Sequence, residues 1–366
     1  MRRWIAACLG ASLAMASPLL LAASLSVVFI NPGRSEEPFW RSVVRFMQPA
    51  AKQLDIRLEV LYAERDHLKM IDYARQVSKR SKKPDYLMIV NEKLAAGEML
   101  KIADEAGIKT LVLFSAFDDE QTAEFGSPRK KYRHWLGTFA PNAEEAGRIT
   151  ARELVQDALS RHVVADDGKV HIAIIAGDKA TPTGQQRLRG ALDVLSADPA
   201  VVVEQVVYGN YDRERAKEQA AALLLRYPKL NAFWTASDLM AFGAMEAAEA
   251  AGRTPGTDLL FSAINNSPPV LQARIKGRLS SLAGGHFTAG AWGLVLLHDY
   301  HHGKDFKSET LNFDIPLFVS MDEERAQRFL SRFGNEDFSS VDFRQFSKRL
   351  NPQLRTYQFG LLPALK

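Results

Sequence analysis

Cysteine is nearly missing from this sequence. Cys8 is the one example in 366 residues. It falls in an N-terminal stretch with the three parts of a secretory signal: a basic start (Met1-Arg2-Arg3-Trp4), an apolar middle from Ile5 to Leu21, and small residues at Ala22-Ala23-Ser24. Residues 1–23 are therefore expected to be removed on export to the periplasm, with the cut after Ala16 or near Ala23. That leaves a mature chain with no thiol, disulfide or thiolate nucleophile. A strong charge of one sign is missing too: the formal net charge of +4 becomes +2 once Arg2 and Arg3 are gone, too weak a balance to argue for nucleic acid. The basic runs 79–83 and 129–131 lack interleaved aromatics and read as solvated faces. Past the signal there is no second apolar run of about 20 residues, so the mature chain is expected to be soluble.

Enzyme signatures are also lacking. There is no Gly-x-Ser-x-Gly elbow, no Gly-x-x-x-x-Gly-Lys-Ser/Thr phosphate loop and no His-Glu-x-x-His. His301-His302 has no carboxylate cluster at ligand spacing around it and reads as a solvated helix end rather than a metal site. No cofactor is expected. Paired carboxylates for glycoside cleavage stay open, because such partners lie far apart in a chain.

What is present is an ordinary globular composition, 46% hydrophobic and 25% charged, long enough for two units of roughly 150 residues each. From Ser24 short branched apolar runs alternate with amphipathic ones. Strands are predicted at 25–30, 56–62, 86–90 and 110–114, with helices at 39–54, 67–81 and 94–106 between them. A polar stretch, 118–134, follows. The pattern then restarts with a helix at 143–163, a strand at 170–176 (VHIAIIA) and alternating elements to Ile264. Such alternation implies two α/β units, each a doubly wound parallel sheet with helices on both faces.

Ligands of open α/β sheets sit outside the carboxyl ends of the strands. The residues there are 31–40, Asn91-Glu92, Ser115, 178–187, 209–211, Ser237-Asp238, Asn265-Asn266 and His286, rich in amides, hydroxyls and aromatics. Phe39 and Trp40 could pack in the core or form a stacking platform. Arg187 offers a fixed fork of donors, while Arg189, two positions on, must point elsewhere. Asp238 could cap a helix, contact a ligand, or do both. Asn91 and Asn265 could organise turns instead of binding.

In combination these residues resemble the ribose-binding and autoinducer-2-receptor branch of the type I periplasmic binding proteins, over roughly residues 24 to 335. The resemblance rests on Pro38-Phe39-Trp40, on Arg187-Leu188-Arg189-Gly190, on Gly209-Asn210-Tyr211-Asp212-Arg213, on the run from Trp234 to Met245, and on Leu260 to Asn265. Ser237 and Asn265 stand where the family usually has asparagine and aspartate, and Gly284-Gly285-His286-Phe287 departs from it. The resemblance implies two lobes (24–139 with 285–315, and 140–284 with 316–334). They would be joined by three crossings, near Phe139-Ala140-Pro141, Gly284-Gly285 and 314–317. Segment 335–366 lies beyond the family's usual end; its aromatics are spaced to pack on a lobe.

The resemblance further implies a non-enzymatic monomer that closes on a small polyhydroxylated ligand. Phe39, Trp40, Asn91, Ser115 and His286 would contribute from one side of the cleft, and Arg187, Tyr211, Ser237, Asp238 and Asn265 from the other. The implied partner is the membrane permease of an ABC transporter. A membrane sensor kinase or cyclase is the alternative, and a periplasmic carbohydrate hydrolase a third.

Overall fold

A computed structural model describes residues 24–364. The expected signal, 1–23, with Cys8 in it, lies outside the described residues. The first α/β unit runs β1 (Leu25–Asn31), α1 (Pro38–Gln53), β2 (Ile56–Tyr62), α2 (His67–Ser78), β3 (Tyr86–Val90), α3 (Ala96–Glu105), β4 (Lys109–Leu113), α4 (Asp119–Phe125) and β5 (Trp135–Pro141). The second runs α5 (Ala143–Ser160), β6 (Val170–Ala176), α6 (Pro182–Leu195), β7 (Val201–Tyr208), α7 (Arg213–Arg226), β8 (Ala232–Thr235), α8 (Asp238–Ala250), β9 (Leu260–Ile264), α9 (Pro268–Ile275) and β10 (Ser281–Gly284). The chain then adds α10 (Ala289–His301), β11 (Asn312–Ile315), β12 (Val319–Ser320) and α11 (Glu323–Phe333).

The two sheets repeat one topology. Their orders are β2-β1-β3-β4-β5-β11 and β7-β6-β8-β9-β10-β12, all parallel except the antiparallel β10–β12 edge pair. Fully buried strands such as β1 (LSVVFIN) and β6 (VHIAIIA) are predominantly apolar because helices cover both their faces. In each sheet the chain reverses its direction of progress beside the first strand, between β1 and β3 and between β6 and β8. That is where an open α/β sheet leaves a crevice at its carboxyl edge.

The chain passes between the sheets from β5 into α5, from β10 into α10, and from β11 to β12. α10 packs on α1, β4 and β5, whereas α11 packs on α9.

The sequence reading placed no strand at 135–141, where β5 lies, and no helix in the polar stretch that follows β4. The polar stretch 118–134 contains α4, a short helix that Asp118 caps by accepting from Gln121 N. α6 opens at Pro182, because proline is suited to the first helical position. Arg187 is therefore in the second turn of α6.

Glycines let helices approach within each unit. A Cβ on Gly190 of α6 would overlap the Glu144 carbonyl, and one on Gly147 of α5 would overlap that of Arg187. The residues after α11 pack on the first lobe: Phe338 and Phe343 each meet Phe46 edge-on at 5.1 Å between ring centroids, and Phe359 stacks on Trp292 at 5.4 Å. Asp299, fully buried at the end of α10, anchors this segment by accepting from Lys348 N (2.6 Å), Tyr357 Oη (3.0 Å) and Ser347 Oγ. No helix of the described residues is long and apolar enough to cross a membrane.

Candidate ligand-binding site

A cavity of about 60 Å³ lies at the carboxyl edges of both sheets, walled by both lobes. In this measure one water needs roughly 10–15 Å³, so the space suits a small molecule rather than a polymer. Nine of the ten residues singled out from the sequence line it: Phe39, Trp40, Ser115 and His286, with Arg187, Tyr211, Ser237, Asp238 and Asn265.

Asn91 does not line it. Its amide donates to Ala116 O (3.0 Å) and Gln121 Oε1 (2.6 Å), and its carbonyl accepts from Ala96 N. Asn91 thus ties β3 to the start of α3 and to α4, the turn-organising role.

The aromatics are placed by the turn before them. Asn31 Oδ1 accepts from Gly33 N at 2.9 Å, and the Trp40 indole lies against Gly33, where any Cβ would overlap it. Phe39 has one face covered: it stacks on His286 (4.5 Å, 19°), which stacks in turn on Phe318 (4.4 Å, 26°). Phe39 is thus half of a clamp on an imidazole rather than an open platform, and the polar edges of the cavity become its recognition elements.

Arg187 joins that stack. Its Nη1 donates to Ala236 O at 2.9 Å and its Nη2 reaches His286 Nε2 at 3.1 Å. A guanidinium only donates, so Nε2 accepts, and the imidazole is neutral with its proton on Nδ1. Burial, and then the Arg187 charge, hold the His286 pKa well below its ordinary value. Arg189, two residues on, pairs with Glu144 at 3.0 Å on the outside.

On the second lobe Ser237, not Asp238, caps α8, its Oγ accepting from Met240 N. Asp238 accepts from Asn265 Nδ2 (2.6 Å), Ser267 Oγ (2.6 Å) and Leu239 N (2.9 Å). Burial raises its pKa against those bonds.

The sequence reading missed the charged triad of the first lobe. Arg65, after β2, is bonded to Glu37 through Nε (2.9 Å) and Nη2, and to Glu92 through Nη1 (2.8 Å). Burial raises the Glu92 pKa in spite of Arg65. Glu37 and Glu92 stand in the strand-end windows and carried a signal, whereas Arg65, at the end of an outer strand, and Phe318, after the third crossing, carried none.

The lobes touch across the cavity. The Arg65 guanidinium sits 5.3 Å from the Tyr211 ring centroid. Thr183 Oγ1 donates to Phe114 O (3.1 Å), and Lys93 N donates to Thr181 Oγ1 (3.2 Å). Several lining residues hold left-handed backbone: Arg65 (φ 64°), Phe114 (φ 63°), Tyr211 (φ 57°) and Asn265 (φ 141°). Backbone strain of this kind, of order 1–3 kcal/mol per residue, collects at ligand sites because the surrounding structure must over-determine it.

Comparisons with known proteins agree with this architecture. The family model described as "Periplasmic binding protein domain" matches residues 27–305. A periplasmic sugar-binding protein of Pseudomonas fluorescens is 41% identical, with a TM-score of 0.84 over 93% of this chain and 99% of that one. A protein of Actinobacillus succinogenes, described as an ABC transporter periplasmic solute-binding protein with bound D-allose, is similar in fold: 20% identity, TM-score 0.71, over 83% of this chain and 99% of that one. The D-ribose/D-allose-binding protein of Pseudomonas aeruginosa is 30% identical over 157 residues, 42% of this chain and 44% of that protein, so the match spans less than half the relative's length. With two parallel α/β lobes closed over a shared cavity and a family match that covers most of its length, the chain belongs to the type I periplasmic binding proteins.

Proposed function

We propose that this protein captures a small, sugar-like, polyhydroxylated ligand in the periplasm and presents it, enclosed between the lobes, to the permease of an ABC transporter. The observation that carries this reading is the shared cavity, to which each lobe brings its own polar groups: Glu92 and Ser115 from one, Arg187, Asp238 and Asn265 from the other. A ligand bonded to both lobes stabilises the closed arrangement by its differential affinity for it, and the closed shape is what a partner reads. The Pseudomonas fluorescens relative, described as sugar-binding, supports the ligand class.

A thermal-shift screen of monosaccharides, polyols and furanose sugars, followed by mass spectrometry of the bound molecule, tests the proposal. The expected result is stabilisation by a subset of these compounds and recovery of the ligand chemically intact. Conversion of the ligand during long incubation, or stabilisation by none of them, overturns it.

A further inference from the structure

The β5–β11 side of the first sheet carries a second cavity, of about 410 Å³, within the range of small-molecule sites, about 300–1,000 Å³. It exists because the sheet is covered unequally. α10 packs on β4 and β5 from one face. On the other face the covering helix is α4, which is seven residues long and leans on α3, with Phe125 against Gly97. The side chains of β5 and β11 on that face are left as a floor, in which Asn312 lies beside Thr138 and Asp314 beside Ala140. Phe117, after β4, stands at one end, and Glu144 and Gln186 wall the cavity from the second lobe. Pro141 is the one described residue that lines both this cavity and the central one.

The polar groups of the floor lack partners. Thr138 is 4% exposed, yet its hydroxyl has no partner among the described residues, and neither has the side-chain amide of Asn312. Asp314 accepts from Asn142 Nδ2 (3.0 Å) through one oxygen, and no basic side chain among the described residues pairs with it. Glu144, the other acid of the lining, is already held by Arg148 and Arg189. None of the described residues that line the cavity is basic. Burial raises the Asp314 pKa against the Asn142 bond, and the Glu144 charge adds to the rise. A cation beside Asp314 would offset both.

An ammonium group has three N–H donors and no acceptor, which matches a floor of carboxylate, hydroxyl and amide oxygens. β4 and β11 lie two strand spacings apart, about 10 Å, with β5 between them. A cation held at Asp314 therefore needs only a short stem to bring an apolar ring to Phe117. We propose that this cavity is a second ligand site, for a primary ammonium ion on a short aromatic stem, held by Asp314 with Thr138 and Asn312 beside it.

Calorimetric titration of the protein with 2-phenylethylamine tests this, against 2-phenylethanol, of the same shape without the charge, and phenylacetate, of the opposite charge. The expected result is binding of the amine alone. A hydrogen bond to a charged group is strong enough that Asp314→Asn should weaken it at least about tenfold, and Thr138→Val by less. Arg187→Ala should bind the amine as wild type does. No binding of the amine by wild type, or equal binding of amine and alcohol, overturns the proposal without recourse to any variant, and leaves the sugar reading of the central cavity standing. Amine binding that is lost in Arg187→Ala and kept in Asp314→Asn places the amine in the central cavity and overturns it as well.

Discussion

Arg65 of the first lobe lies over the ring of Tyr211 of the second, 5.3 Å from its centroid, while its nitrogens hold Glu37 and Glu92. One guanidinium thus neutralises the acids of one wall and forms a contact of the closed cleft. Replacing it with alanine strands two buried carboxylates, at a cost of about 3–5 kcal/mol. The deficit should shrink as pH falls from 7 toward 5: burial already raises the Glu92 pKa, and without Arg65 the folded state takes up protons more readily still. Urea denaturation at several pH values measures this. A variant as stable as wild type at pH 7 would show that these two ion pairs add nothing.

His286 gives the opposite pH dependence. Its folded pKa is well below 6.5, so at mildly acidic pH the unfolded chain binds a proton that the folded one does not. The contribution of neutral His286 is complete above pH 6.5 and is lost as pH falls below it, by up to about 1.4 kcal/mol per pH unit. Wild type should lose stability between pH 6.5 and 5 relative to His286→Gln, whose amide oxygen still accepts from Arg187. Parallel stability curves for the two proteins would contradict this.

Arg187 reaches the cavity because α6 lies close against α5. Gly147→Ala places a methyl against the Arg187 carbonyl, so α6 must move out and carry the guanidinium with it. Its thermal shift with any ligand found in the screen should be much reduced, and that of Arg187→Ala abolished. The wild-type effect is about 3 kcal/mol at a hundredfold excess of ligand over Kd. An undiminished shift in Arg187→Ala would exclude this residue from the site.

Asp299 holds the C-terminal segment to α10. Asp299→Ala leaves Ser347, the Lys348 amide and Tyr357 without their acceptor and should cost about 3 kcal/mol, whereas Tyr357→Phe removes one bond and should cost about 1 kcal/mol. Limited proteolysis should cut residues 340–360 first in Asp299→Ala. Unaltered cleavage would show that the aromatic contacts alone hold the segment.

Element order and sheet type were legible in the residues because both depend on local periodicity: buried parallel strands must be apolar throughout, and covering helices must be amphipathic. Strand ends also pointed to the cleft, since a parallel α/β sheet leaves its open edge there, and so Arg187, Tyr211 and Asp238 were found. α4 was missed because its stretch is polar and only seven residues long.

How each side chain is used was decided by contacts between residues far apart in the chain. Asn91 and Asn265 both end strands, yet only Asn265 lines the cavity, because Gln121, 30 residues away, takes up the Asn91 amide. Phe39 has the composition of a sugar platform, but the crossing after β10 delivers His286 onto its face and the one after β11 delivers Phe318 onto the other side of the imidazole. Arg65 has no motif at all. It becomes part of the site because β2 lies beside β1, which sets its guanidinium between Glu37 and Glu92, and because the second lobe folds over with Tyr211. Periodicity reports which face of an element is buried; which groups meet there is a property of the closed, three-dimensional packing.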